Sequence, residues 1–242
     1  MSVKKLKYLF YCTLFLMNSC MDGDDATFSE AQYDFAYIEK FDQGISDWIG
    51  GFADYPDSLE SELDLKIEYK ELDNVFEEDN HALVLSGKNP HEDLFYYISR
   101  KFSDLDPNSV YQLSFSYEIL MEAIGKNTVD ETELYFKAGG LSVKPESTLD
   151  FSPVSENAAY NYLNADKGND QVNGTDQIYY FGKIEEHLDQ EKVILKGETD
   201  QISILVQTNA NGEFWIIFGI DSNTPSELSF AFNTIIVFFQ KQ

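Results

Sequence analysis

The residues best suited to recognise a ligand sit in one short stretch, Trp48-Ile49-Gly50-Gly51-Phe52-Ala53-Asp54-Tyr55-Pro56. Aromatic faces stack on the apolar C–H faces of sugars, while carboxylates bind their hydroxyls. Trp48, Phe52 and Tyr55 with Asp54 supply both chemistries in a glycine-containing loop, which makes them the candidate glycan platform. Tyr160, Tyr162, Tyr179 and Tyr180 can add to it. A plainer reading competes, because with 15% aromatic residues most rings must fill a core.

A second constellation is rich in oxygen: Asp166, Asn169, Asp170, Asn173 and Asp176, with Gly168 and Gly174 between them. Calcium takes six to eight such ligands. The run lacks EF-hand spacing and its distal Glu. Asn and Asp in a Gly-containing loop also form turns capped by their own side chains. Zinc prefers clustered His and Cys, whereas His81, His91 and His187 are isolated.

Catalytic patterns are weaker. Glycoside hydrolases use two carboxylates about 5–10 Å apart, and 43 acidic residues produce such pairs by chance. The run Glu71, Asp73, Glu77, Glu78, Asp79 reads as a solvated face. No G-x-S-x-G is present. No catalytic residue is assigned. Arg100, the only arginine, adjoins Lys101 at a strand end, where it can close a salt bridge.

The N-terminus sets the compartment. Lys4, Lys5 and Lys7 precede an apolar stretch from Tyr8 to Met17 that is too short to span a bilayer. It ends at Asn18-Ser19-Cys20, the layout of a secretory signal. A small residue directly before a Cys resembles the lipobox of bacterial lipoproteins, although Leu16 stands one place further from the Cys than in the common pattern. The resemblance implies that residues 1–19 are removed, that Cys20 is acylated, and that palmitate-type chains hold the protein to a membrane. Residues 20–30 read as an acidic tether. Acids directly after such a Cys resemble the export signal of Bacteroidetes-type surface lipoproteins, which implies the outer membrane.

The chain carries 17 basic and 43 acidic residues, a net charge of −26. Such a surface repels nucleic acid and anionic lipid and favours cations. Cys12 and Cys20 are the only cysteines. With one removed and one lipidated, the domain must be stabilised by packing alone.

The elements that must position these residues are strands. Tyr111, Leu113, Phe115, Tyr117 and Ile119 alternate with Gln112, Ser114, Ser116 and Glu118, a strand with one buried face. Leu63–Tyr69 and Ile202–Val206 alternate likewise. Ala82–Leu85, Leu94–Ile98, Phe214–Phe218 and Ile235–Phe239 are apolar throughout and read as strands covered on both faces, or as strands with an aromatic outer face. Gly139-Gly140, Asn173-Gly174 and Asn211-Gly212 read as turns, the last as a hairpin. Glu185–Gln190 could form one helical turn. The expectation is one all-β, antiparallel sandwich over residues 31–242.

Three stretches resemble the jelly-roll sandwiches of the galactose-binding-like class, which includes carbohydrate-binding modules. They are Phe41-Asp42-Gln43-Gly44 with Trp48, Leu105-Asp106-Pro107-Asn108 leading to Tyr111, and Phe232-Asn233-Thr234-Ile235-Ile236-Val237. The resemblance implies a jelly roll and a structural Ca²⁺, for which Asp42 and Asn233 are the nearest ligand equivalents. A narrower likeness, to secreted bacterial proteins of unknown function, is carried by Trp48–Pro56, Leu85-Ser86-Gly87, Asp166-Lys167-Gly168-Asn169 and Gly219-Ile220-Asp221-Ser222. The functional expectation is a lipid-anchored, noncatalytic glycan-binding module. A structural component contacting another envelope protein is the alternative, and a polysaccharide hydrolase the second.

Overall fold

The computed structural model describes residues 33–73, 75–76, 81–124, 132–150, 159–168, 172–186, 192–198 and 204–242. The signal segment, Cys20, the tether, Asn169, Asp170 and His187 lie outside these residues. The described strands, in chain order, are β1 (Phe35–Glu39), β2 (Ile49–Ala53), β3 (Tyr55–Pro56), β4 (Lys66–Glu71), β5 (His81–Lys88), β6 (Leu94–Phe102), β7 (Val110–Ile124) and β8 (Thr132–Leu141). They continue as β9 (Ser147–Asp150), β10 (Tyr160–Leu163), β11 (Ile178–Glu186), β12 (Lys192–Glu198), β13 (Ile204–Gln207), β14 (Phe214–Ser222) and β15 (Glu227–Lys241). The one helical element among the described residues is a 3₁₀ turn, Asp57–Leu59.

The chain is an antiparallel β-sandwich. One sheet runs β12-β7-β15-β5-β4, with β1 also on β15 and β13 also on β7. The facing sheet runs β11-β8-β14-β6-β2, and a small outer sheet runs β3-β10-β9.

Parity in the sequence fixes the register of the long central pair. Tyr111, Leu113, Phe115, Tyr117, Ile119 and Met121 of β7 face the core. In β15 the inward residues are Leu228, Phe230 and Phe232, then Ile235, Val237 and Phe239. The switch from even to odd positions needs one extra residue. It falls at Asn233, where the pairing steps from Phe232↔Ile119 to Thr234↔Glu118. A bulge of this kind keeps both halves of the strand facing inward. Asn233 ties it down, donating its Nδ2 to the His81 carbonyl at 2.9 Å and accepting the Thr234 hydroxyl at 3.0 Å.

The apolar-throughout strands of the second sheet are covered on both faces. Tyr96 and Ile98 enter the main core, while Phe95 and Tyr97 face outward into a second cluster with Ala53, Leu141, Leu163, Ile178 and Ile217. β10 and the segment after it supply that cover. A smaller third cluster, with Phe76, Ala82, Val84, Leu120 and Ala231, lies on the first sheet.

Three local readings change. Gly139-Gly140 lies inside β8, not in a turn. A Cβ at Gly139 would meet the Gln177 carbonyl oxygen at 2.0 Å, so glycine lets the covering segment lie directly on the sheet. The Asn211-Gly212 turn is not a hairpin, because β13 pairs with β7 in one sheet and β14 with β6 and β8 in the other. Gly212 supplies the positive φ of 71° that this crossover requires. Glu185 and Glu186 belong to β11, not to a helix.

Candidate functional site

The Trp48–Pro56 stretch runs through β2 of the second sheet into β3 of the small outer sheet. Its aromatic side chains point into the protein, because β2 pairs with β6 through Phe52↔Tyr96 and Ala53↔Phe95. Trp48 is fully buried beside Phe41, with ring centroids 6.4 Å apart. Phe52 packs edge-on against Tyr96 at 5.6 Å, and Tyr55 is buried too. The expected glycan platform of Trp48, Phe52 and Tyr55 is therefore corrected: these rings fill the core and leave no face for a sugar.

Asp54 turns the other way. Its φ of 63° bends the chain between β2 and β3, and its carboxylate lies on the outer face of the second sheet. There it joins a buried charge network. Lys167 Nζ lies 2.8 Å from Asp54 Oδ2 and 2.7 Å from Asp221 Oδ2. Lys137 Nζ lies 3.3 Å from the same Asp221 oxygen and donates to the Lys167 carbonyl at 3.0 Å. The side chains of Lys137 and Asp221 are both 0% exposed, and those of Asp54 and Lys167 only 7% and 11%. Three segments of the narrower likeness thus converge here, bringing Asp54, Lys167 and Asp221. Lys137 had no signal in the sequence beyond its place in a strand, since its partners are distant in the chain.

The electrostatics follow from burial and pairing. Burial pushes the Asp54 carboxyl above its usual range, against the pull of Lys167. Burial alone would lower the Lys167 ammonium, but Asp221 and Asp54 outweigh it and hold the group above the ordinary lysine value. Lys137 moves the opposite way. Burial lowers it further than Asp221 restores, and the like charge of Lys167 adds to the fall.

The network reaches the surface through Asp93 and Tyr160. The Tyr160 hydroxyl lies 3.1 Å from both Asp93 Oδ2 and the Asp54 carbonyl. Burial raises the Asp93 carboxyl to about 6, with the Asp221 and Asp54 charges adding to the rise and Lys167 opposing it. Asn89 fixes this turn. Its Oδ1 accepts from the Asp93 and Leu94 amides, and its Nδ2 donates to the Ser222 and Thr224 carbonyls. Two residues along β10, the Tyr162 ring packs against that of Tyr160 with centroids 4.6 Å apart and planes tilted at 31°. Both rings are half-buried. They form an aromatic shelf with Asp93 at one end and β9 beside it.

A separate pocket of about 210 Å³ opens where the ends of β8 and β13 meet the segment after β10. Leu141, Val143, Leu205, Asn164, Gln177 and Gln207 contribute to its wall, and among the described residues no charged one does.

The metal expectations fare differently. Asp42 is exposed, and the Asn233 amide is used in the bulge. Asp166 caps its own loop. Its Oδ1 accepts the Gly168 amide at 3.0 Å and its carbonyl accepts the Thr175 hydroxyl at 2.6 Å, while Asp176 is exposed. Among the described residues no group of three or more His, Cys, Asp or Glu side chains could hold a metal. Asn169 and Asp170 lie outside those residues. The facing acids Asp54 and Asp221 are closed by Lys167, so they line no cleft of the kind hydrolysis of a polysaccharide would need. Arg100 is a clamp between β6 and β1. It lies over the Tyr37 ring at 4.3 Å and pairs with Glu39 at 3.6 Å.

No protein-family profile matches the chain, and no curated protein resembles it significantly. Among solved structures it is similar to the CBM22-1 xylan-binding domain of Paenibacillus barcinonensis Xyn10C, at 12% identity over 84% of this chain and 92% of that one, with a TM-score of 0.38. It is also similar to the mannan-recognising carbohydrate-binding module TmCBM27, at 12% identity over 88% and 100% of the chains and a TM-score of 0.37. A third is the K1 cleaved adhesin domain of Lys-gingipain from Porphyromonas gingivalis W83, at 10% identity over 86% and 98% and a TM-score of 0.39. No residue role or ligand is carried across from these likenesses.

Proposed function

We propose that the domain is a noncatalytic glycan-binding module, tethered through acylated Cys20 at the outer surface of a bacterial envelope. The observation that carries the binding assignment is the Tyr160–Tyr162 shelf. Two rings in tilted contact at 4.6 Å stand half-open on a strand whose next residue, Leu163, is anchored in the second cluster. A rigid aromatic pair beside a carboxylate suits a sugar, with ring faces for the C–H surface and Asp93 and Tyr160 for hydroxyls. The net charge of −26 repels anionic polymers, so the ligand class is a neutral glycan.

Affinity electrophoresis through gels containing neutral polysaccharides tests the assignment. The parent protein is retarded by at least one of them, and Tyr162→Ala migrates freely while keeping the parent's circular dichroism. Equal migration of the two in every gel would refute the shelf. The tether is tested separately: labelled palmitate enters the parent and not Cys20→Ser.

The uncharged pocket favours a second reading, contact with another envelope protein. Val143 and Leu205 in its wall are exposed, at 52% and 48%. Crosslinking from native membranes through a photoreactive residue at Val143 would capture that partner.

A further inference from the structure

We infer that Lys137 and Asp221 condense into an intramolecular amide, an isopeptide cross-link between β8 and β14, with Lys167 donating to the oxygen that becomes the amide carbonyl. The two residues sit on one face of adjacent strands. The register pairs Lys137 with Gly219 and Asp221 with Tyr135, so they are diagonal neighbours two residues apart. Such neighbours lie within reach of a long side chain. Lys137 Nζ is 3.3 Å from Asp221 Oδ2, and both side chains are fully buried.

Three features separate this pair from an ordinary salt bridge. First, Lys137 is the more reactive amine. Burial and the neighbouring Lys167 charge both favour its neutral form, the arrangement that turns a lysine into a nucleophile. Second, no outside substrate can reach it, and the Asp221 carboxyl is the electrophile within reach. Third, Asp221 Oδ1 is buried and makes no hydrogen bond among the described residues, while Oδ2 lies 2.7 Å from Lys167 Nζ. One oxygen is held by a cation and the other is unheld, which is the asymmetry that loss of one oxygen requires. Asp54, at 2.8 Å, positions Lys167 and keeps it charged.

The step balances without oxidant or reductant. The Lys137 ammonium passes a proton to the Asp221 carboxylate. The amine then attacks Asp221 Cγ, forming the C–N bond, and negative charge develops on Oδ2 against the Lys167 ammonium. Oδ1 leaves as water with two of the three ammonium protons, and the amide keeps the third. The charges that remain, Lys167 and Asp54, still cancel. Fixed geometry of this kind gives intramolecular reactions effective concentrations of about 10⁵–10⁸ M.

Mass spectrometry of the purified protein, digested with trypsin under denaturing conditions, tests the link. The expected result is a peptide uncut at Lys137 and joined to the peptide containing Asp221, lighter than their sum by one water. Lys137→Met and Asp221→Ala each release the two peptides. Lys167→Met and Asp54→Asn lower the linked fraction at least tenfold in protein whose circular dichroism matches the parent. Cleavage at Lys137 with a separate, unmodified Asp221 peptide in the parent overturns the inference, and that result needs no variant to fold.

Discussion

The Tyr160 hydroxyl lies 3.1 Å from Asp93 Oδ2, and this contact joins the open aromatic shelf to the buried charges behind it. It also gives the shelf a pH dependence. An aspartate in the unfolded chain titrates near about 3.9, whereas Asp93 in the fold is raised to about 6, chiefly by burial. Between those values the folded state holds more protons, so stability falls as pH rises. The contribution is complete below about pH 4 and lost as pH passes about 6. Asp93→Asn keeps a partner for Tyr160 and removes the titration. Its stability relative to the parent should rise by about 1–2 kcal/mol from about pH 4 to about pH 7, a figure already reduced for the solvent that reaches this group. Urea unfolding at several pH values measures it, and a constant difference would contradict the assignment.

Trp48 tests the correction to the aromatic platform. It fills space beside Phe41 and is fully buried. Trp48→Ala should cost about 3–5 kcal/mol through lost transfer energy and the cavity left behind. Glycan affinity per folded molecule should not change. Denaturant titration gives the first quantity, and a loss of affinity in fully folded variant protein would restore Trp48 as a ligand contact.

Lys167 stands between two carboxylates where a cation would otherwise be needed. Calcium should therefore add no stability through Asp54 and Asp221, because a ligand that does not bind the native state cannot stabilise it. Lys167→Met should cost roughly 3–5 kcal/mol, since it leaves the buried Asp54 carboxylate short of its cation. Differential scanning calorimetry reads both. A saturable rise in melting temperature with calcium would show that a metal site exists.

The fold was legible because period-two alternation is a local signal. Tyr111 to Ile119 declared its buried face without help from distant residues. The apolar run Leu94–Ile98 likewise announced cover on both faces, and β10 provides it. Sheet membership was less legible. Asn211-Gly212 looks the same whether the turn closes a hairpin or crosses between layers, and only the pairing of β13 with β7 decides. The aromatic platform misled for a related reason: composition tells a ring's chemistry, not the side of the strand on which it stands. Trp48 and Asp54 are six residues apart in sequence and face opposite layers. The charge network was hidden because its members come from β8, β14, the bend between β2 and β3, and the segment after β10. Lys137 in particular reads as one polar residue ending an apolar run until Asp221 is brought beside it.

Binding of a neutral glycan at the Tyr160–Tyr162 shelf can be read directly. The most direct measurement is an array of neutral glycans probed in parallel with the parent and with Tyr162→Ala. The parent should bind a family of related neutral glycans, and Tyr162→Ala should bind them at least tenfold more weakly. An empty array for the parent, or identical binding by both proteins, would contradict it.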